Sequence, residues 1–495
     1  MEEVKIEQFF IKWQATLPQR IEGYIYDENR KKLPTRFIFT EFKKLIERFL
    51  RSELHETEKI ILMPGIRGIG KSTLLAQLYA IEKFLKSKDK DLLKVINRLD
   101  ERLYLDVSQL HAEQISLNDF FSYYEKVKGF YFEKPGKKIL LLLDEIHFDE
   151  RWGLFLKNLF DRTKGHKDIL VIATGSSALQ INMIADLARR AGTWQVFPMK
   201  FSEYLILKYN KLPIGSNLSD YLQEALFNSL DASEVFKKLS KEEDEINRYF
   251  VNEVPPEAED EFFESGGFPS TLNISNKIKR IEKIKSVIDG IIVKDILKLK
   301  RFETQTIAKI SDLLYLLAQS DVISFTKLQA ALKIRRPETL DSLIDVLTLS
   351  GIITKVRAYG TTYGPTRKTP KILFISPSLR SAILNNNYPS GIEGKKLEDY
   401  FVLVFQKDIK KGTYTFSEPR LSYDVAENGA DFVLSLQNKK NIVIEIGFNK
   451  EEIEQVQNTM KKIKSPQYGL VVGSKKLELV GNSIVKVPLR YLMLI

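Results

Sequence analysis

The stretch "PGIRGIGKSTLLAQL", Pro64 to Leu78, decides the fold. Its core, G-x-x-x-x-G-K-S at Gly65, Gly70, Lys71 and Ser72, has the spacing of a phosphate-binding loop. The apolar run "IILM" precedes it, and Leu74, Leu75 and Leu78 follow on one helical face. Glycines at 65, 68 and 70 let the backbone turn inward, so that its N–H groups and the following helix N-terminus point at phosphate oxygens. Lys71 then reaches the β- and γ-phosphates and Ser72 offers a hydroxyl to Mg²⁺. The expected cradle is the whole run Gly65, Ile66, Arg67, Gly68, Ile69, Gly70, Lys71, Ser72 and Thr73.

About seventy residues on, "KKILLLLDEIHFDE" is an uninterrupted apolar run ending in two carboxylates, as a buried parallel strand would. Asp144 at the strand end is suited to hold Mg²⁺ together with Ser72, and Glu145 to polarise an attacking water as general base. A nucleotide binder that only switches would not need Glu145, so the doublet points to hydrolysis. Asp149 and Glu150 read as solvated acids at a helix start.

A third strand, "DILVIATGSSALQI", ends in small polar residues, of which Ser176 is the first candidate for a γ-phosphate or water contact and Thr174 the second. Either hydroxyl could equally cap the next helix. In "ADLARRAGTWQVFPMKFSEYL", Arg189 and Arg190 follow closely enough to bring positive charge to a γ-phosphate, in cis or in a neighbouring subunit of a homo-oligomer. Surface arginines are the competing explanation.

At this point the chain resembles the prokaryotic, largely archaeal and bacterial, P-loop ATPases of the AAA+ superfamily that carry a winged helix and a C-terminal restriction-endonuclease-like domain. The stretches that carry the resemblance are "GIRGIGKSTLL", "LLLLDEIH" with "RWGLFLKNLFD", "ILVIATGSSAL", "LARRAGTWQVFPMKFSEYL", "ESGGFPS" and "KTPKILFISPSLRSAIL". They run from about Arg36 to the C-terminus. The resemblance implies ATP, Mg²⁺ and an AAA+ type core, and it matches Arg190 to the family's arginine after the small-polar strand.

From Phe201 to about Lys300 the pattern turns helical and charged and reads as a lid. Over Thr306 to Leu384 three helices are expected, lined by Ile310, Leu313, Leu314 and Leu317, then Phe325, Leu328, Ala331 and Leu332, then Leu340, Leu343, Ile344 and Leu347, before a two-stranded hairpin. That order is a winged helix. Lys333, Arg335 and Arg336 would lie at its recognition-helix start, and Arg367 and Lys368 on its wing, as contacts to the phosphates of double-stranded DNA. Lys327 to Arg380 holds ten Lys or Arg against three Asp or Glu, a local balance of +7 out of +11 for the chain. A winged helix can also pack on the ATPase or bind protein.

The last hundred residues, with "GKKLEDYFVLVF", "ENGADFVLSLQ", "NIVIEIGFNK" and "YGLVVGS", resemble a restriction-endonuclease-like core. Glu398, Asp431 and Glu445 match its three acidic positions. Gly447 stands where that family has a lysine, and the nearest lysine is Lys450, so metal-dependent cleavage is not expected.

The whole chain sets the bounds. At 495 residues it exceeds a single core, and 43% hydrophobic with 28% charged residues is an ordinary soluble balance. The absence of cysteine removes disulfides and thiolate metal sites, while His55, His111, His147 and His166 lack paired metal-ligand spacing and read as surface or supporting histidines. Short apolar runs and the start "MEEVKIEQFF" fit a cytoplasmic protein without a membrane span. The expected fold is α/β: a P-loop ATPase parallel-sheet core over 1–200, a helical lid over 201–303, a winged helix over 304–388 and a nuclease-like α/β domain over 389–495. The expected activity is ATP hydrolysis coupled to conformational change on DNA. The alternatives are a nucleotide-gated DNA-binding regulator with negligible turnover and a defence or mobile-element effector that cuts DNA.

Overall fold

Five short segments of the N-terminal half are too short to be stable alone and become strands only when stacked side by side. In the computed structural model they do so as β1 (Ile60–Pro64), β2 (Leu99–Asp106), β3 (Lys138–Asp144), β4 (Ile169–Gly175) and β5 (Gly192–Thr193). The structure describes residues 2–175, 187, 189–211, 217–296, 304–320, 324–360, 369–385, 387–410, 419–436 and 440–495. Ser176, Arg367 and Lys368 lie outside these residues. The chain divides into two compact units, Met1–Val196 and Phe197–Ile495.

In the first unit the sheet order is β2-β3-β4-β1-β5 and every pairing is parallel. All of β1 and β4 is buried, as strands covered on both faces require, and this is why they read as unbroken apolar runs. Strand β4 lies between the P-loop strand β1 and the acidic strand β3, with Leu143 level with Ala173 and Met63 level with Thr174. The carboxyl ends of three strands therefore meet at one edge, where ligands of open parallel sheets bind. An element left unread in the sequence, the helix Glu2–Ile25, joins this unit. It buries Phe10, Trp13, Leu17, Ile21 and Ile25, and Trp13 Nε1 donates to the Tyr104 carbonyl of β2 at 3.0 Å.

The second unit begins with helices Phe201–Tyr209, Leu218–Phe227, Ala232–Ser240, Glu243–Asn252 and Lys277–Gly290. This span packs against the chain's end: Tyr468 OH donates to Leu226 O at 2.8 Å and Ser202 Oγ to Ile495 O at 3.2 Å. Helices Thr304–Gln319, Phe325–Leu332 and Pro337–Leu349 follow, and then an antiparallel hairpin of β6 (Ile353–Ala358) and β7 (Lys371–Phe374). Ser324 caps the second helix by accepting from Lys327 N–H, and Pro337 opens the third, where its missing N–H is not needed.

The hairpin does not end its sheet. Strand β6 also pairs in parallel with β8 (Arg420–Tyr423), so the hairpin forms one edge of an eight-stranded sheet. The remaining strands are β9 (Phe432–Ser435), β10 (Asn441–Ile446), β11 (Pro466–Val472), β12 (Glu478–Val480) and β13 (Ile484–Val487), in the order β12-β13-β11-β10-β9-β8-β6-β7. Arg380 and Asp399, both fully buried, tie together the two helices that follow β7, Pro377–Leu384 and Ile392–Val404. Arg380 Nε and Nη2 donate to Asp399 at 2.6 and 2.9 Å, and Nη1 donates to Ala318 O at 2.8 Å. A buried ion pair is tolerated only when its remaining donors and acceptors are filled in this way. No helix among the described residues is long and apolar enough to cross a membrane.

Candidate functional site

The loop between β1 and the helix Lys71–Tyr79 owes its shape to its glycines. Gly68 and Gly70 sit at φ +76° and +86°, the left-handed region where a side chain is strained. A Cβ on Gly65 would come within 2.6 Å of the Val196 carbonyl. Lys71, 5% exposed, folds back so that Nζ donates to the carbonyls of Gly65 at 2.7 Å and Ile66 at 2.9 Å. Arg36 supports the loop from the preceding segment, its Nη1 donating to Ile69 O at 2.8 Å.

Asp144 is 2% exposed and is surrounded by hydroxyls. Thr174 Oγ1 donates to its Oδ1 at 2.5 Å, Tyr104 OH donates to its Oδ2 at 3.0 Å, and the Ser72 hydroxyl bonds to it as well. Burial, and then the neighbouring Glu145 charge, push the Asp144 carboxyl above the usual range, while the three hydroxyls pull it back. The Thr174 hydroxyl also accepts from Glu145 N–H at 3.0 Å. One side chain of β4 thereby holds both acids of β3. Glu145 needs such a hold, because its φ of +52° costs a residue with a side chain about 1 kcal/mol. Its carboxylate faces the buried His147, with Nε2 3.5 Å from Oε2. Ser72 and Asp144 give the hard oxygen set that Mg²⁺ takes, with most of its other ligands drawn from water and phosphate. Among the described residues no group of three His, Cys, Asp or Glu could hold a metal by itself.

Arg190 pairs with Asp161, Nε 3.5 Å from Oδ1, and Arg189 is exposed. Asp149 is occupied in turning the chain, accepting from Leu117 N–H and Arg151 N–H at 2.7 Å each. Tyr104 was missed by sequence reasoning; it sits in the mixed strand LDERLYLD, where nothing local marks its hydroxyl as a partner of Asp144.

In the second unit Lys333, Arg335 and Arg336 are exposed between the helices Phe325–Leu332 and Pro337–Leu349, with Lys333 at φ +52° ending the first. Glu398, Asp431 and Glu445 come together although they lie on a helix, before β9 and on β10. Asp431 N–H donates to Glu445 Oε2 at 3.1 Å and Ile446 N–H to Asp431 Oδ2 at 3.0 Å. Lys450 doubles back over Gly447, its Cδ 3.4 Å from where a Cβ there would stand, and reaches Glu445 Oε1 at 3.0 Å. A residue that the sequence did not single out, Lys371 at the start of β7, places its ammonium on both Glu398 and Asp431, 3.2 Å from Asp431 Oδ1. Burial and the Asp431 charge raise the Glu445 carboxyl to about 7, against the pull of Lys450.

A family model described as an AAA domain matches residues 57–205, and a model described as a domain of unknown function (DUF8612) matches 257–390. The uncharacterized protein MJ1637 of Methanocaldococcus jannaschii is 31% identical over 497 residues, covering 99% of this chain and 94% of that protein. Among solved structures, the Walker-type ATPase PABY2304 of Pyrococcus abyssi covers 71% of this chain and 98% of its own at 16% identity, with a TM-score of 0.38. A RuvB variant of Thermotoga maritima covers 68% of this chain and 91% of its own at 13% identity, with a TM-score of 0.27.

Proposed function

We propose that this chain, which belongs to one family with the uncharacterized protein MJ1637 of Methanocaldococcus jannaschii and carries an AAA-type P-loop ATPase domain, binds ATP with Mg²⁺ and hydrolyses the nucleotide. The observation that carries this reading is the Thr174 hydroxyl, which ties the backbone of Glu145 to the carboxylate of Asp144 beside Ser72. The loop N–H groups and Lys71 would bind the phosphates, and Ser72 with Asp144 would hold Mg²⁺, which supplies charge neutralisation at the phosphates. Glu145 would take the proton of the attacking water. Arg190 would serve only on leaving Asp161, in its own chain or toward a second copy.

The rest of the proposal concerns coupling. Three helices followed by a hairpin, with exposed Lys333, Arg335 and Arg336 before the third helix, support a winged helix that docks on double-stranded DNA in the cytoplasm. The helical span 201–303 would report nucleotide state as a lid, and limited proteolysis unchanged by ATP would count against that. A second reading, a nucleotide-gated DNA-binding regulator with negligible turnover, draws support from the Glu145 carboxylate being turned to His147. Steady-state ATP hydrolysis by the wild type and Glu145→Gln, with and without duplex DNA, separates the two. The ATPase reading expects DNA-stimulated turnover that falls about 100-fold or more in the variant. Equal, negligible rates in both proteins with ATP still bound would favour the regulator.

A further inference from the structure

A restriction-endonuclease-like core gathers its acids around a divalent cation, and the acids here gather around lysines. We infer that the Lys371 ammonium is the built-in cation of the Glu398, Asp431 and Glu445 cluster, standing where a divalent ion would stand, so that this cluster is held together without metal. The inference is independent of the ATPase reading.

Three observations lead to it. Lys371 is 6% exposed, and its ammonium lies between Glu398 and Asp431 and 5.0 Å from the centre of the Phe432 ring, so it is packed in place at the head of β7. Burying carboxylates is strongly unfavourable unless each is paired and hydrogen-bonded. Lys371 and Lys450 provide that pairing from within the chain.

The second observation is the engagement of five oxygens of these acids. Asp431 Oδ1 meets Lys371 and Oδ2 accepts from Ile446 N–H. Glu445 Oε1 meets Lys450 and Oε2 accepts from Asp431 N–H, while Glu398 Oε2 meets Lys371. Mg²⁺ demands near-octahedral oxygen geometry and keeps several waters, which acids already held by ammoniums and backbone N–H groups do not offer.

The third is the origin of the two lysines. Gly447 leaves the strand after Glu445 bare, and Lys450 occupies that space by doubling back. Lys371 comes from β7, separated from the acids in sequence and brought to them because β6 joins the hairpin to β8. The cluster thus fastens the hairpin to the C-terminal strands as a salt-bridge bolt, and the acids do not fit metal-dependent strand cleavage.

The test is Mn²⁺ titration of the full chain without nucleotide, read by electron paramagnetic resonance, in an Asp144→Asn background that silences the first unit. That protein is expected to bind no Mn²⁺ that depends on Asp431. Adding Lys371→Met is expected to create one site, at least ten-fold tighter than any in the parent and lost again on Asp431→Asn. Mn²⁺ bound by the parent and released by Asp431→Asn would overturn the inference, as would a folded Lys371→Met protein that binds no more Mn²⁺ than its parent. Should Lys371→Met fail to fold, the parent and its Asp431→Asn derivative still decide the matter by the first criterion.

Discussion

The two units each bury a group of carboxylates, and they stabilise them by opposite means. At the end of β3 the groups turned toward Asp144 are the hydroxyls of Ser72, Tyr104 and Thr174, which fix its direction without cancelling its charge. Around β9 and β10 the groups turned toward Glu398, Asp431 and Glu445 include the ammoniums of Lys371 and Lys450, which do cancel charge. An acid dressed by hydroxyls remains available to a cation brought from outside. On the inference above, acids already paired with lysines serve to hold the fold together. On the readings proposed above, the same residue type at a strand end serves a working site in one unit and a fastening in the other.

The comparison breaks most sharply at Lys371. Lys371→Met leaves two buried carboxylates facing each other and should destabilise the second unit by about 3–5 kcal/mol, read as a lower urea midpoint. A double change with Asp431→Asn should recover much of that loss, because the charges are then balanced again. In the first unit, Thr174→Val removes one bond to the Asp144 carboxyl and one to the Glu145 backbone. It should lower the ATP turnover rate by about 1.5–3 kcal/mol in barrier, read from kcat with ATP affinity little changed. Tyr104→Phe removes a single bond to Asp144 and should act in the same direction with a smaller effect, about 1–1.5 kcal/mol, seen as a higher Mg²⁺ requirement.

A further effect is a pH dependence. Glu445 titrates near 7 in the fold against an ordinary value of 4.5, because burial and Asp431 oppose its charge while Lys450 supports it, with Lys371 and Glu398 completing the surrounding charges. The folded protein therefore holds a proton that the unfolded chain has released between those two values. Stability from this group is fully present below about 4.5 and is lost as pH rises through 7. Urea midpoints at pH 5 and pH 8 should differ in that direction in the wild type, and Glu445→Gln should reduce the difference.

Much of the first site was legible because its chemistry is local. Gly65, Gly68, Gly70, Lys71 and Ser72 are consecutive constraints on one turn, and the apolar run before Asp144 identifies a strand buried on both faces. Thr174 was harder to rank, since a hydroxyl after an apolar strand reads equally well as a cap. Only the register of β3 beside β4 shows it tying Glu145 to Asp144. In the second unit the order of helices and hairpin follows from apolar spacing, and Glu398, Asp431 and Glu445 were named from the resemblance. The extension of the hairpin into the C-terminal sheet was not legible, because strand neighbours distant in sequence leave no periodic mark.

By itself the sequence determined the phosphate loop, the paired acids after β3 and the alternation of strands and helices that makes the first unit α/β, since each depends on residues close along the chain. It also carried the apolar face of the helix Glu2–Ile25, at Phe10, Trp13, Leu17, Ile21 and Ile25, although what that face covers is not a local property. The tertiary structure alone decided which buried charges are answered by hydroxyls and which by lysines. Electrostatic compensation acts over a few ångströms of space. Lys371 and Asp431 meet at 3.2 Å across 60 residues of chain, and that distance exists only after β6 has paired with β8.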